Sequence, residues 1–177
     1  MDARAGLSVR VAELRDLARV ADIYAHHVRT GLASFETEPP DETEMRARYE
    51  AVRSKGFPYL VAELDGVVAG YAYASLYRTR PAYRHSLEDS IYVDPRFAGR
   101  GIGRSLLARL IAECEAIGCR QLIAVIGDSA NHASIALHAA LGFEQVGTLK
   151  AVGFKHGRWV DSVLMQRALG PGGTMPP

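Results

Sequence analysis

Residues 96–110 read RFAGRGIGRSLLARL, with Gly99, Gly101 and Gly103 at alternate positions among arginines. The strand-like run SIYV stands just before, and an apolar helical run follows at once. A chain written this way must turn sharply out of a strand and straight into a helix. Glycine admits positive φ and lets main-chain amides come close to a ligand. At a helix start those amides lack intrahelical partners, and the macrodipole adds partial positive charge. The joint therefore reads as an anion site suited to phosphate, with Arg100 and Arg104 adding full charges. Two familiar phosphate loops are excluded by spacing. The dinucleotide loop wants G-x-G-x-x-G, and this chain has G-x-G-x-G; the Walker loop wants Gly-Lys-Ser/Thr, and Gly103 is followed by Arg104-Ser105. On these residues alone, a plain tight turn whose glycines only ease packing is the competing reading.

Around this joint the pattern sets out the remaining elements. Residues 8–13 alternate apolar with polar and read as a strand. Asp16 is placed to cap a helix over about 17–31, and Asp41 or Thr43 a second, more polar helix to about Lys55. Residues 58–64 and 67–76 read as strands joined by Asp65-Gly66, a hairpin signal. Residues 87–93 follow as a strand, 103–117 as a helix and 121–126 as an apolar, buried strand. A short helix at 131–141 stops at Gly142, and strands 143–154 and 158–166 turn at His156-Gly157. The order β-α-α-β-β-β-α-β-α-β-β makes a mixed α/β sheet and not a regular βαβ repeat, so a doubly wound dinucleotide fold fits poorly.

At 177 residues the chain is expected to be one domain, spanning 8–167, with 1–7 and 168–177 as disordered tails. Lys plus Arg is 21 and Asp plus Glu is 20, which recommends neither nucleic acid nor an anionic membrane as partner. Cys114 and Cys119 lie five apart without zinc-ligand spacing and read as reduced thiols, so no metal is expected. With no signal peptide and no transmembrane stretch, the expected location is the cytoplasm.

The block YVDPRFAGRGIGRSLL resembles the acetyl-CoA signature of the GNAT superfamily of N-acetyltransferases. EDSIYV, AVIGDSANHASIALHAALGF and VGFKHGRWVD follow the same order as in its phosphinothricin and methionine sulfoximine acetyltransferase branch, and the resemblance spans roughly residues 8–167. One departure stands at Ala98, where the superfamily loop begins with Gln or Arg. The resemblance implies a mostly antiparallel central sheet flanked by helices, acetyl-CoA as cosubstrate, a small-molecule amine as substrate and a homodimer. It implies that Gly99, Arg100, Gly101, Ile102, Gly103 and Arg104 grip the pyrophosphate. Ile91, Tyr92 and Val93 would line the coenzyme, with a bulge at Tyr92-Val93 freeing an amide for the thioester carbonyl.

Acetyl transfer to an amine needs a proton acceptor, an oxyanion donor and a proton for the leaving thiolate. Strand alternation places Glu88, Ser90 and Tyr92 on one face and Leu87, Asp89, Ile91 and Val93 on the other. Taken alone, Glu88 reads first as a solvated edge carboxylate; the resemblance implies a place in the site, with Asp89 the rival base. Asn131, Ser134 and His138 share one helix face. His138 stands where superfamily members commonly carry a proton-donating Tyr, while a buried structural histidine is the alternative. Asn131 and Ser134 would bind the pantetheine arm. Arg78, Arg80 and Arg84, interleaved with Tyr77 and Tyr83, suit a carboxylate or phosphinate head, or else form a solvated basic loop. The resemblance favours Arg80, Tyr83 and Phe35 as substrate contacts, Phe35 often from the neighbouring subunit. The expected function is acetylation of the α-amine of a small amino acid analogue. Acetylation of another small amine or a protein N-terminus, or a non-catalytic acetyl-CoA sensor, are the alternatives.

Overall fold

Asp41 closes the Pro39-Pro40 loop by accepting the Glu44 N–H at 2.8 Å, and helix formation follows from that cap. The computed structural model describes residues 6–177. Its elements are β1 (Leu7–Val11), α1 (Leu17–Thr30), α2 (Glu42–Arg53), β2 (Tyr59–Leu64), β3 (Val67–Leu76) and β4 (Ser86–Val93). The second half holds α3 (Ile102–Ala116), β5 (Gln121–Gly127), α4 (His132–Ala139), β6 (Glu144–Lys155) and β7 (Arg158–Ala168). The order of strands and helices is the one the pattern predicts.

Seven strands form one sheet in the order β1-β2-β3-β4-β5-β7-β6. Every neighbouring pair is antiparallel except β4–β5, which is parallel. The parallel pair arises because α3 crosses over between β4 and β5, as a parallel connection requires. Both sheet faces are covered. On one, the α3 stripe Ile102, Leu106 and Leu110, at helical spacing, packs with Leu107, Leu60, Ala72 and Leu122. On the other, Val20, Ile23 and Val28 of α1 and Met45 and Val52 of α2 meet Val61, Tyr59 and Tyr71. Each fully buried aliphatic side chain contributes about 1.5–3 kcal/mol.

Two sequence expectations change here. Asp16 stands at the start of α1 but does not cap it through its side chain. A 3-10 turn, Leu14–Asp16, precedes the helix, so the Asp16 carboxylate turns back to the Glu13 N–H at 2.7 Å and pairs with the Arg10 guanidinium. The segment 168–177, expected to be disordered, is folded. Leu169 is 1% exposed in the core, and its N–H donates to the Arg120 carbonyl at 3.0 Å. The Arg120 guanidinium then reaches the Pro176 carbonyl at 2.9 Å. The polar, glycine-rich composition of the tail hides a single apolar anchor. At the other end, residues 1–5 of the expected tail lie outside the described residues, and Leu7 already pairs with Leu64 in the sheet. Among the described residues no helix is long and apolar enough to cross a membrane.

Candidate active site

The parallel pairing of β4 with β5 runs only from Ser86–Gln121 to Asp89–Ala124, and there the strands part. The Asp94 N–H donates to Ala69 and the Ser86 carbonyl accepts from Tyr77, so even-numbered main-chain groups of β4 face β3. Alternation turns the odd-numbered ones toward β5. Past Asp89 that side has no strand, which leaves the N–H groups of Ile91 and Val93 without a strand partner, and Ile91 lines the open wedge. The bulge expected at Tyr92-Val93 is absent: β4 pairs with β3 without a shift from Leu87–Leu76 to Val93–Gly70. Divergence of two parallel strands frees the amides instead, and the alternation that separates Glu88 from Asp89 holds.

A cavity of about 480 Å³ fills the wedge, within the usual range for a small-molecule site. It is lined by β4 from Glu88 to Tyr92, by β5 from Ala124 to Gly127, by Asn131, Ser134 and His138, and by residues 33–36. The two carboxylates enter it from opposite sheet faces. Glu88 shares the face of Ser90, Tyr92 and the tyrosines under α1 and α2, and its carboxylate makes no hydrogen bond among the described residues. Burial lifts its pKa, the neighbouring Asp89 charge adds to the rise, and Arg78 opposes it.

Asp89 lies on the α3–α4 face, buried, with Oδ1 3.0 Å from His138 Nε2. His138 Nδ1 donates to the Ser134 carbonyl at 2.8 Å. That carbonyl only accepts, so Nδ1 carries hydrogen and a single proton sits in the Nε2–Oδ1 contact. Burial pushes Asp89 upward against the pull of His138. For His138, burial works downward but the Asp89 bond and charge prevail, and its pKa rises. Both ring nitrogens of His138 are thus already engaged. Asn131 caps α4, its Oδ1 accepting the Ser134 N–H at 3.2 Å.

At the end of β4 the chain makes a 3-10 turn, then Gly99 and Gly101 take φ of 77° and 79°. Gly101 is the N-cap of α3, in the left-handed conformation that L side chains rarely adopt. The first helical bond of α3 is Ser105 N–H to Gly101, so the amides of Ile102, Gly103 and Arg104 are open. Arg100 and Arg104 are exposed beside them. The strand–turn–helix joint has the geometry an anion site requires.

Residues 20–143 match the sequence profile of the acetyltransferase (GNAT) family. The chain is a member of that family. It is 60% identical over 99% of its length to the phosphinothricin N-acetyltransferase of Alcaligenes faecalis, of which it covers 89%. It is 40% identical to the L-methionine sulfoximine/L-methionine sulfone acetyltransferase of Salmonella typhimurium, over 92% of this chain and 95% of that one. Its fold matches the crystal structure of a GNAT phosphinothricin acetyltransferase from Sinorhizobium meliloti in complex with acetyl-CoA. The TM-score is 0.93 and the identity 49%, over 97% of this chain and 93% of the other.

In this GNAT chain the basic loop lies outside the cavity lining. Arg78, Arg80, Tyr83 and Arg84 are exposed and do not line it. Arg78 lies over the Tyr77 ring at 4.7 Å, near enough to Glu88 to lower its pKa. Phe35 does line the cavity, from the same chain. Three residues escape the sequence reading. Glu36 lines the cavity and accepts from the Tyr24 hydroxyl at 2.8 Å and from Arg48 at 2.6 Å. His27 Nε2 lies 2.8 Å from the Val93 carbonyl, joining that end of β4 to α1. Lys155 is 3% exposed, with its ammonium on the Ser34 carbonyl at 2.7 Å. Glu36 lies one residue from Phe35, which is the only local signal for it. His27 follows the apolar stripe of α1, and Lys155 sits beside a His-Gly turn, so both read as ordinary framework residues.

Proposed function

We propose that the chain transfers the acetyl group of acetyl-CoA to the α-amine of a small amino acid analogue of the phosphinothricin or methionine sulfoximine kind. The observation that carries this reading is the wedge itself. It is lined by Glu88 and Tyr92 on one sheet face and by Asp89, Asn131, Ser134 and His138 on the other, where β4 and β5 cease to pair. Acetyl-CoA, when bound, supplies an activated acyl group as a thioester. The open amides of Ile102, Gly103 and Arg104, with Arg100, are the proposed pyrophosphate grip. The unpaired N–H groups of Ile91 and Val93 are the proposed donors to the acyl oxygen. Asn131 and Ser134 take the arm between them.

Glu88 takes the proton of the substrate ammonium, directly or through a water, because only a lone pair attacks. A carboxylate held above its ordinary pKa is a better match for that task near neutrality. His138 and Asp89 keep one proton in the cavity wall for the leaving group. Arg78, Arg80 and Tyr83 act at the mouth, drawing in an acidic head group before it reaches the cavity. We further place the protein in the cytoplasm as a homodimer without nucleic acid or membrane as partner. The exposed side chains of Leu149, Val152, Phe154 and Trp159 on the β6–β7 hairpin support pairing with a second copy.

A thiol-release assay with acetyl-CoA tests the reading across phosphinothricin, methionine sulfoximine, methionine sulfone and a panel of peptides with free N-termini. Release with the small analogues and not with the peptides is expected. Release with peptides alone, or with no amine, overturns it.

A further inference from the structure

The segment after α1 runs across the ends of β5 and β6, and three observations show it held there. Gly127 comes so close that a Cβ would stand 2.4 Å from the Leu32 carbonyl oxygen. Gly153 lies under the Phe35 ring, where a Cβ would be 2.8 Å from its edge. Lys155 is buried with its ammonium on the Ser34 carbonyl at 2.7 Å, and its side chain makes no other hydrogen bond among the described residues. No carboxylate lies within ion-pair distance of that ammonium among the described residues. Burying a cation without an ion-pair partner is costly: burial lowers the pKa of Lys155, and the charge of Glu36 opposes that. From the opposite side the Tyr24 hydroxyl shares a hydrogen bond with Ser34 Oγ at 2.9 Å, and Arg48 binds Glu36. The segment so fixed supplies Ala33, Ser34, Phe35 and Glu36 to the cavity wall.

We propose that Lys155 is a positioning residue for amine selection: it pins residues 33–36 as a rigid wall that closes the cavity around a small amino acid and shuts out an extended peptide. This rests on the acetyltransferase reading above and deepens it. Lys155 acts through the wall and touches no reacting atom, so its loss is expected in substrate KM rather than in the chemical step.

The test is steady-state kinetics on the whole chain, with methionine sulfoximine and an alanine-initiated peptide as acceptors, joined to hydrogen exchange of residues 31–40. For Lys155→Met, KM for methionine sulfoximine rises about tenfold, as loss of one charged hydrogen bond implies. KM for acetyl-CoA stays put, kcat changes little, and the peptide gains relative to sulfoximine. Exchange of residues 31–40 speeds up. Lys155→Arg, which still donates to the carbonyl, restores much of the sulfoximine KM. Gly153→Ala, which pushes Phe35 away with Lys155 intact, reproduces the KM rise and decides the matter if Lys155→Met does not fold. Unchanged sulfoximine KM and unchanged exchange in both variants overturn the proposal, as does an equal rise in both substrates' KM with a lower melting temperature. If the parent chain turns over neither acceptor, the functional reading fails; the exchange experiment then still decides whether Lys155 holds the wall.

Discussion

Glu88 and Asp89 are adjacent carboxylates with opposite environments, and the difference comes from strand alternation. Glu88 makes no hydrogen bond among the described residues, whereas Asp89 meets His138 through Oδ1 and keeps only a buried Oδ2 without a partner. Replacing Glu88 by Gln is expected to cut kcat by about 10²-fold or more while acetyl-CoA affinity, read by calorimetry, holds. The pH profile gives a second check. A raised folded pKa means Glu88 takes up its proton above the ordinary 4.5, so kcat/KM for the amine falls on acidification above that value. Glu88→Gln removes that acid limb; an unchanged limb assigns it to another group. The placement of Glu88 opposite Asp89 was legible in the period of the strand. The Asp89–His138 contact was not, because it joins residues 49 apart in sequence.

The glycine joint is the element whose local chemistry reads most fully from sequence, since turn, helix start and charge all lie within a few residues. Gly101 takes φ of 79° with open space around it, so conformation and not room selects glycine there. Gly101→Val forces a β-branched residue into that region at a cost of about 1–2 kcal/mol. Acetyl-CoA affinity by titration calorimetry is expected to fall about tenfold or more as the first-turn amides are re-aimed. Affinity equal to the parent's removes the joint from coenzyme binding. The wedge beside it is another matter. Every strand around it could be assigned from its own pattern, but the point where β4 and β5 cease to pair depends on how a twisted sheet accommodates one parallel pair. In place of the expected bulge at Tyr92-Val93, β4 pairs regularly with β3 and parts from β5 after Asp89.

For the whole molecule, closure at the C-terminal end rests on Leu169, which enters the core beyond the last strand. Leu169→Ala is expected to destabilise the fold by about 2–5 kcal/mol, read as a lower urea midpoint. A midpoint unchanged from the parent's would place the tail outside the cooperative unit. From hydrophobic period, turn residues and the strand–glycine–helix joint, the sequence by itself determined the element order, the mixed sheet and the glycine turn into α3, because each is settled by neighbours a few residues apart. The opening of the sheet, the pairing of Asp89 with His138, the exclusion of Arg78, Arg80 and Tyr83 from the cavity, and the burial of Lys155 were decided only by tertiary structure. Each depends on groups distant in the chain competing for the same small volume, and no local pattern records which of them wins.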